Sequence, residues 1–428
     1  MKRPILKRSE FLTHTFQLLI GTSVVQVLGF LLQPVLSRLY TPADYAVYGV
    51  FITLLNWLEV VATGRYELAT VIPKHDKDAI NLIAGTSLLS LLVAILTFAA
   101  VVFFGPTICE LFKVPALLPY LYLLPFTLLA WSVSKMLNSW LVRKEAFKAF
   151  SVNKVVQKGS EFSTSITFGF VSFHSGLILG DFIGRTMLLL VSIRQSIRYG
   201  ASLSMITSRE MLQALKRFSR YPLYNTVPAL FNTTATLLPV FYMSSRYPGD
   251  AAGNFIFSRM ILLVPISFLS FAISQVLLQK VAKNRINNLS VQTEIKFLVK
   301  YLGLTGLAIM VVFMIGAPWI FSFVFGKSWL LAGVFSQVMV VSYAIQFLVS
   351  PMSSALAAME KIKLYSIWQT CYFLAIGSLF FVRDITAIRF IFLLTFVEAL
   401  SYLAYLGLIL WGVRKYEHSI KIMAQNHP

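Results

Sequence analysis

Seven ionisable residues stand in stretches that are otherwise apolar: Glu59, Lys135, Glu161, Asp181, Arg185, Arg259 and Glu398. An unpartnered charge in hydrocarbon is costly, so such residues pair with one another, reach for an edge, or hold a charged ligand or a proton. Asp181 and Arg185 are four residues apart, which on a helix places them face to face as an ion pair. Glu59, Lys135 and Glu161 fall near helix ends, from which a long side chain can reach water. Arg259 lies about one turn inside its stretch with no acid four residues away. Glu398, near the middle of its stretch, is the residue that snorkelling explains least. Asp181, Glu398 and Glu59 are therefore candidates for carrying a coupling proton or sodium ion, and Arg259 for holding an anion.

Other chemistry is excluded by spacing. Gly326-Lys327-Ser328 resembles the end of a phosphate-binding loop, but the glycine required five residues earlier is Phe321. No Cys or His pair has metal-ligand spacing, and Cys109 and Cys371 fall in different segments, so neither a disulfide nor a metal site is expected. No cofactor is expected. Gly176, Gly180 and Gly184 recur every four residues and mark a face for close helix packing. Trp140, Trp319 and Trp329 fit an interfacial aromatic belt.

The elements that must position these residues follow from composition. Of 428 residues, 57% are apolar and 13% charged, about half the charge of a soluble domain. Mean hydropathy is +0.75. Twelve membrane helices of about 22 residues need roughly 264 mostly apolar positions, close to what the chain offers. The spans are expected near 11–36, 45–63, 79–104, 117–141, 154–173, 175–194, 222–244, 254–278, 297–317, 331–357, 365–382 and 388–413. With the amino terminus in the cytoplasm, inside segments carry 28 Lys and Arg against 6 outside. That asymmetry accounts for the net charge of +20 without nucleic acid, puts both termini in the cytoplasm, and places Cys109 in an outside loop. The first apolar stretch is too long for a signal-peptide core and reads as a retained helix. No loop is long enough for a folded extramembrane domain.

The halves also resemble each other. Lys7-Arg8 matches Lys216-Arg217, Ser37-Arg38 matches Ser245-Arg246, and the stretch from Glu145 matches the stretch from Glu360, at offsets of 208 to 215. Two six-helix repeats of like orientation imply a pseudo-two-fold axis along the membrane normal and a cavity between halves, the organisation of a transporter. The expected division is 1–200, a basic cytoplasmic linker 201–221, and 222–428.

Ser37-Arg38-Leu39-Tyr40-Thr41-Pro42-Ala43-Asp44-Tyr45 and Gly64-Arg65-Tyr66-Glu67-Leu68-Ala69-Thr70-Val71-Ile72-Pro73 resemble the polysaccharide-export branch, including Wzx-type O-antigen flippases, of the multidrug/oligosaccharidyl-lipid/polysaccharide (MOP) exporter superfamily. Similarity continues through Gly176–Gly180 and from Tyr221 to Gln275, with one departure at Ala46, where glycine is expected. The resemblance implies an all-α polytopic membrane protein, with twelve helices in two lobes forming a V. It implies transfer of undecaprenyl-diphosphate-linked oligosaccharide from the cytoplasmic to the periplasmic leaflet of the bacterial inner membrane, with no enzymatic step. By the same similarity Arg38, Arg65 and Arg259 are candidates for binding the diphosphate, membrane lipid is a partner, and a polysaccharide polymerase and a chain-length regulator are further partners. The alternative is an ion-coupled multidrug or small-solute antiporter of the same superfamily, which would rely on an intramembrane acid such as Glu398 or Asp181. A membrane polymerase or glycosyltransferase would need a sizeable outside loop, and the chain has none.

Overall fold

Residues 26–287, 289–359 and 361–426 are described by a computed structural model. The expected first span, 11–36, lies for the most part outside them. Among the described residues, helices occupy each of the expected second to twelfth spans, and no strand is present. The chain divides into two compact units, Met1–Gly253 and Asn254–Pro428.

In the first unit, α1 (Gln33–Leu39) leads into α2 (Pro42–Thr63). The conspicuous sequence motifs make the two ends of α2. Thr41 and Asp44 close a reciprocal capping box before Pro42, satisfying backbone donors that the first turn leaves open. At the other end Gly64 (φ +51°) and Arg65 (φ +60°) both adopt the left-handed conformation, and Gly64 N–H donates to the Val60 carbonyl. A left-handed residue after the last turn is the usual way to stop a helix, and glycine adopts it without a Cβ penalty.

Helix α3 (Asp76–Phe112) follows, then α4 (Leu124–Arg143), α5 (Phe147–Phe170) and α6 (Gly176–Arg198). The short helical segment Pro115–Leu121 meets α4 at a 55° bend. Pro119 and Pro125 account for the break, because each lacks the N–H that a continuous ladder needs. Cys109 is buried in the last turns of α3, which runs on to Phe112, so it does not lie in a loop as expected.

The glycine series on α6 sets the distance to α5. A Cβ on Gly184 would come within 2.8 Å of Glu161 Cβ and 2.9 Å of the Gln157 carbonyl. A Cβ on Gly180 would strike Ser165 Oγ and the Glu161 carbonyl. The backbones touch because nothing larger than hydrogen stands between them.

The basic stretch after α6 is not a bare linker. It holds the amphipathic helix α7 (Ser208–Arg217), fastened to α3 by Lys77 Nζ to Glu210 Oε1 at 2.6 Å, and by Asn81, which donates to the Met205 carbonyl and accepts from Thr207 N–H. Tyr66 OH donates to the Leu215 carbonyl at 3.0 Å. The Lys77 hydrogen bond holds the exposed Glu210 carboxyl below the usual carboxylate range. A wide helical turn, Pro222–Thr226, then enters α8 (Val227–Arg246). This helix packs on α2, where Trp57 Nε1 donates to Thr234 Oγ1 at 3.0 Å. By that packing α8 falls within the first unit.

The second unit comprises α9 (Asp250–Ile286, from Asn254), α10 (Gln292–Phe325), α11 (Leu330–Ala358), α12 (Ile362–Ser378) and α13 (Ala387–Asn426). An aromatic knot joins α9 to the α10–α11 turn: the Phe257 ring lies 4.0 Å from Trp329 and 5.0 Å from Phe325. Trp329 and Trp140 are therefore core residues rather than belt residues, fully buried, whereas Trp319 is 69% exposed. Pro265 and Pro351 interrupt α9 and α11 internally.

Among the described residues, seven helices are long and apolar enough to cross a membrane, or eight if the bent pair is one span. Helix α5 falls short because Lys154, Lys158 and Glu161 stand within it, and α8 because of Asn232, Thr233, Thr234 and Thr236. The α5–α6 contact yields a test. Gly184→Ala overpacks against backbone and is expected to cost about 1–3 kcal/mol. Gly159→Ala on the same helix pair meets nothing within 4 Å and is expected to be neutral or slightly stabilising. Thermal unfolding of the purified variants in detergent checks the contrast; equal behaviour removes the glycine face as the determinant of packing.

Candidate functional site

Each unit holds its own buried polar cluster. In the first unit, α4 contributes Trp131 and Lys135, one turn apart. Helix α5 contributes Lys154, Lys158 and Glu161 along one face, and α6 contributes Asp181 and Arg185. Helix α2 and the turn after it supply Glu59, Arg65 and Glu67. The scaffold beneath is hydrogen-bonded: Asn153 Nδ2 donates to Asn138 Oδ1 at 2.9 Å and to Ser192 Oγ at 3.2 Å, tying α5 to both α4 and α6.

Ion pairing follows the helix faces. Arg185 Nε meets Asp181 Oδ2 at 2.6 Å, as the four-residue spacing requires. Lys158 meets Glu161 at 2.7 Å. Lys135 does not snorkel but bridges two carboxylates, Glu59 Oε1 at 2.6 Å and Glu67 Oε1 at 3.0 Å. Arg65 also reaches Glu67, at 3.5 Å. Both carboxylates are buried, so the pairs must offset a desolvation penalty of several kcal/mol per ion. Arg185 and Lys154 both lie against the Trp131 ring, at 4.2 and 5.1 Å from its centroid.

The second cluster joins helices that the sequence does not relate. Glu398 on α13 accepts from Ser342 Oγ on α11 at 2.9 Å and from the Tyr372 hydroxyl on α12. Arg259 on α9 donates to Tyr343 on α11 and lies in the field of Glu398. All five of these residues are buried. Arg259 is held in register because Ser258 Oγ donates to the Ala332 carbonyl at 2.7 Å and Asn254 Oδ1 accepts from Ala332 N–H at 2.9 Å. Beside the cluster Trp368 stacks on Tyr405 at 4.2 Å and on Tyr372 at 5.4 Å.

The sequence-derived residues are thus distributed as follows. Arg38 is exposed, in the last turn of α1. Arg65 lies past the other end of α2, whose 22 residues span roughly 33 Å, so the two cannot hold one phosphate together. Arg259 is in the second unit with Glu398, and the acid missing from its own helix comes from α13. Glu59 and Asp181 are in the first unit, each paired with a cation. Sequence reasoning missed Glu67, Lys154, Trp131, Ser342, Tyr343 and Tyr372. Lys154 and Lys158 carried a signal, since with Glu161 they make a polar stripe at helical spacing.

The described residues form a bundle of apolar helices with a buried charge cluster in each unit, and the fold is like that of solved MOP superfamily transporters. The chain resembles an inward-facing multidrug resistance transporter of the MATE family (16% identity, TM-score 0.71, covering 93% of this chain and 99% of that one). It equally resembles the lipid II flippase MurJ in an inward closed conformation (16%, 0.72, 94% and 90%). A MOP superfamily transporter from Pyrococcus furiosus is similar at TM-score 0.60 (16%, 95% and 95%). At these identities the likeness is one of fold. Among curated proteins none matches the sequence. Residues 35–334 match the polysaccharide biosynthesis protein family, and the chain belongs to that family.

The Lys135 bridge makes a stability prediction. Lys135→Met leaves Glu59 and Glu67 buried without their shared cation, which for a buried pair costs about 3–5 kcal/mol. The 28% exposure of the lysine side chain puts the expected loss at the lower end of that range. Adding Glu59→Gln and Glu67→Gln to Lys135→Met is expected to restore much of the thermal stability. No loss in the single variant would show that the bridge is not structural.

Proposed function

We propose that this protein is a flippase. It moves undecaprenyl-diphosphate-linked oligosaccharide, an O-antigen or related lipopolysaccharide repeat unit, from the cytoplasmic to the periplasmic leaflet of the bacterial inner membrane by alternating access. Membership of the polysaccharide biosynthesis family carries this reading. It is supported by basic side chains buried among apolar helices, since a dianionic head crossing hydrocarbon needs cations to replace its water. Arg38, Arg65 and Arg259 remain candidates for that role at different stages of transfer. The polyprenyl tail stays in lipid while the head moves.

In this reading transport draws on a proton or sodium gradient through Asp181, Glu398 or Glu59, each of which has a cation or hydroxyl partner that a change of protonation would release. The periplasmic product passes to a polymerase and a chain-length regulator. The likeness to multidrug transporters favours one other reading, ion-coupled export of a small solute. Complementation of a flippase-deficient strain separates the two. Expression is expected to restore surface glycan, and Arg259→Ala at matched protein level to reduce it at least severalfold. Wild-type chain that restores drug tolerance but no glycan would sink the flippase reading.

The orientation is also part of this proposal, with both termini cytoplasmic. Exposed Lys113 and Lys327, replaced by cysteine in a chain lacking Cys371, are expected to react with an impermeant thiol reagent added to spheroplasts. Cysteine at exposed Arg209 or Lys283 is expected to react only after lysis. The reverse pattern would invert the topology.

A further inference from the structure

The cluster of the first unit contains five cations, Arg65, Lys135, Lys154, Lys158 and Arg185, and four carboxylates, Glu59, Glu67, Glu161 and Asp181. Among the described residues every one of these cations except Lys154 pairs with a carboxylate. Lys154 Nζ instead rests on aromatic rings, 5.1 Å from the centroid of Trp131 and 5.9 Å from that of Phe150. Three like-signed groups, Lys158, Arg185 and Lys135, act on it.

Arg185 adds an independent observation. Its side chain is 8% exposed, and its Nε is committed to Asp181. Among the described residues its buried Nη1 has no hydrogen-bond partner. An unmet donor on a buried guanidinium is costly, and an anionic oxygen is the partner that satisfies it best.

We propose that Lys154 and Arg185, both seated on Trp131, form an anion subsite for a phosphate-type dianion. Resting on the flippase reading, the ligand is the diphosphate of a polyprenyl-linked sugar; the subsite itself does not depend on that identity. The surplus positive charge attracts an anion. Lys154 supplies a mobile point charge, and Arg185 a planar donor set that matches phosphate oxygens. Trp131 holds both cations in place through its ring face. Asp181 and Glu161 oppose an anion, and because attraction and repulsion both scale with its charge, a dianion gains from the surplus positive charge twice what a monoanion gains. Entry is from the side where Trp131, Lys154 and Lys158 are half-exposed, Arg185 forming the buried floor.

The test uses the full chain, purified in detergent, titrated with inorganic pyrophosphate by calorimetry. Saturable binding is expected, weakened about tenfold or more by Lys154→Ala, the loss expected of one charge-assisted hydrogen bond. Lys154→Arg is expected to retain binding, and so is Arg209→Ala on the exposed face of α7. Arg185→Lys, which keeps the charge beside Asp181 but removes the fork, is expected to weaken binding while the protein stays monodisperse. Unchanged affinity in Lys154→Ala, or an equal loss in Arg209→Ala, overturns the subsite. Polyprenyl diphosphate in nanodiscs is expected to compete with pyrophosphate. Failure to compete, with pyrophosphate binding still dependent on Lys154, overturns the lipid as ligand and leaves a site for a soluble anion. Surface glycan in the complemented strain is read separately, so loss of the flippase reading is distinguishable from loss of the subsite.

Discussion

A charge surrounded by hydrocarbon has to find its counter-charge inside the protein, and this requirement organises both units. In the first unit it draws four helices and a turn together. Lys135 is shared between Glu59 and Glu67, and Asp181 with Arg185 fixes the face that α6 turns inward. In the second unit the same requirement brings α9, α11, α12 and α13 to one place around Glu398 and Arg259. Apolar packing alone would tolerate many rotations of each helix. The ion pairs select one.

Close approach is what makes that selection possible. The α6 glycines let its backbone lie directly on α5, which brings Glu161 and Lys158 within range of the Asp181–Arg185 pair. The motif residues at the ends of α2 act at a distance from these charges. Thr41 and Asp44 fix where α2 begins, and Gly64 and Arg65 fix where it stops, which sets the height of Glu59 relative to Lys135. A capping motif is thereby tied to the electrostatics of the site.

What the sequence discloses depends on how far apart the partners are along the chain. The Asp181–Arg185 pair and the glycine face were legible because both follow from helical periodicity within one segment. The helices of the expected second to twelfth spans were legible from hydropathy, and the family from the motifs flanking α2. Glu398 and Arg259 were each conspicuous, but their association was not, because 139 positions separate them and helix packing brings them close. Trp140 and Trp329 read as interfacial by position, yet they fill the core, since a tryptophan near a helix end is recruited wherever two helices leave a large gap. The stripe of Lys154, Lys158 and Glu161 was legible at helical spacing, but that Lys154 alone of its cluster's cations meets no carboxylate among the described residues emerges only when the helices are assembled.

The prolines within α9 and α11 give the second unit an uneven stiffness. Pro265 stands six residues beyond Arg259, and Pro351 eight beyond Tyr343. Each deprives the carbonyl four residues earlier of its ladder partner. Each helix is therefore weakest at its proline, where one ladder hydrogen bond is already missing. A bend at either proline would leave the cluster's register untouched, because Arg259, Ser342 and Tyr343 all precede it.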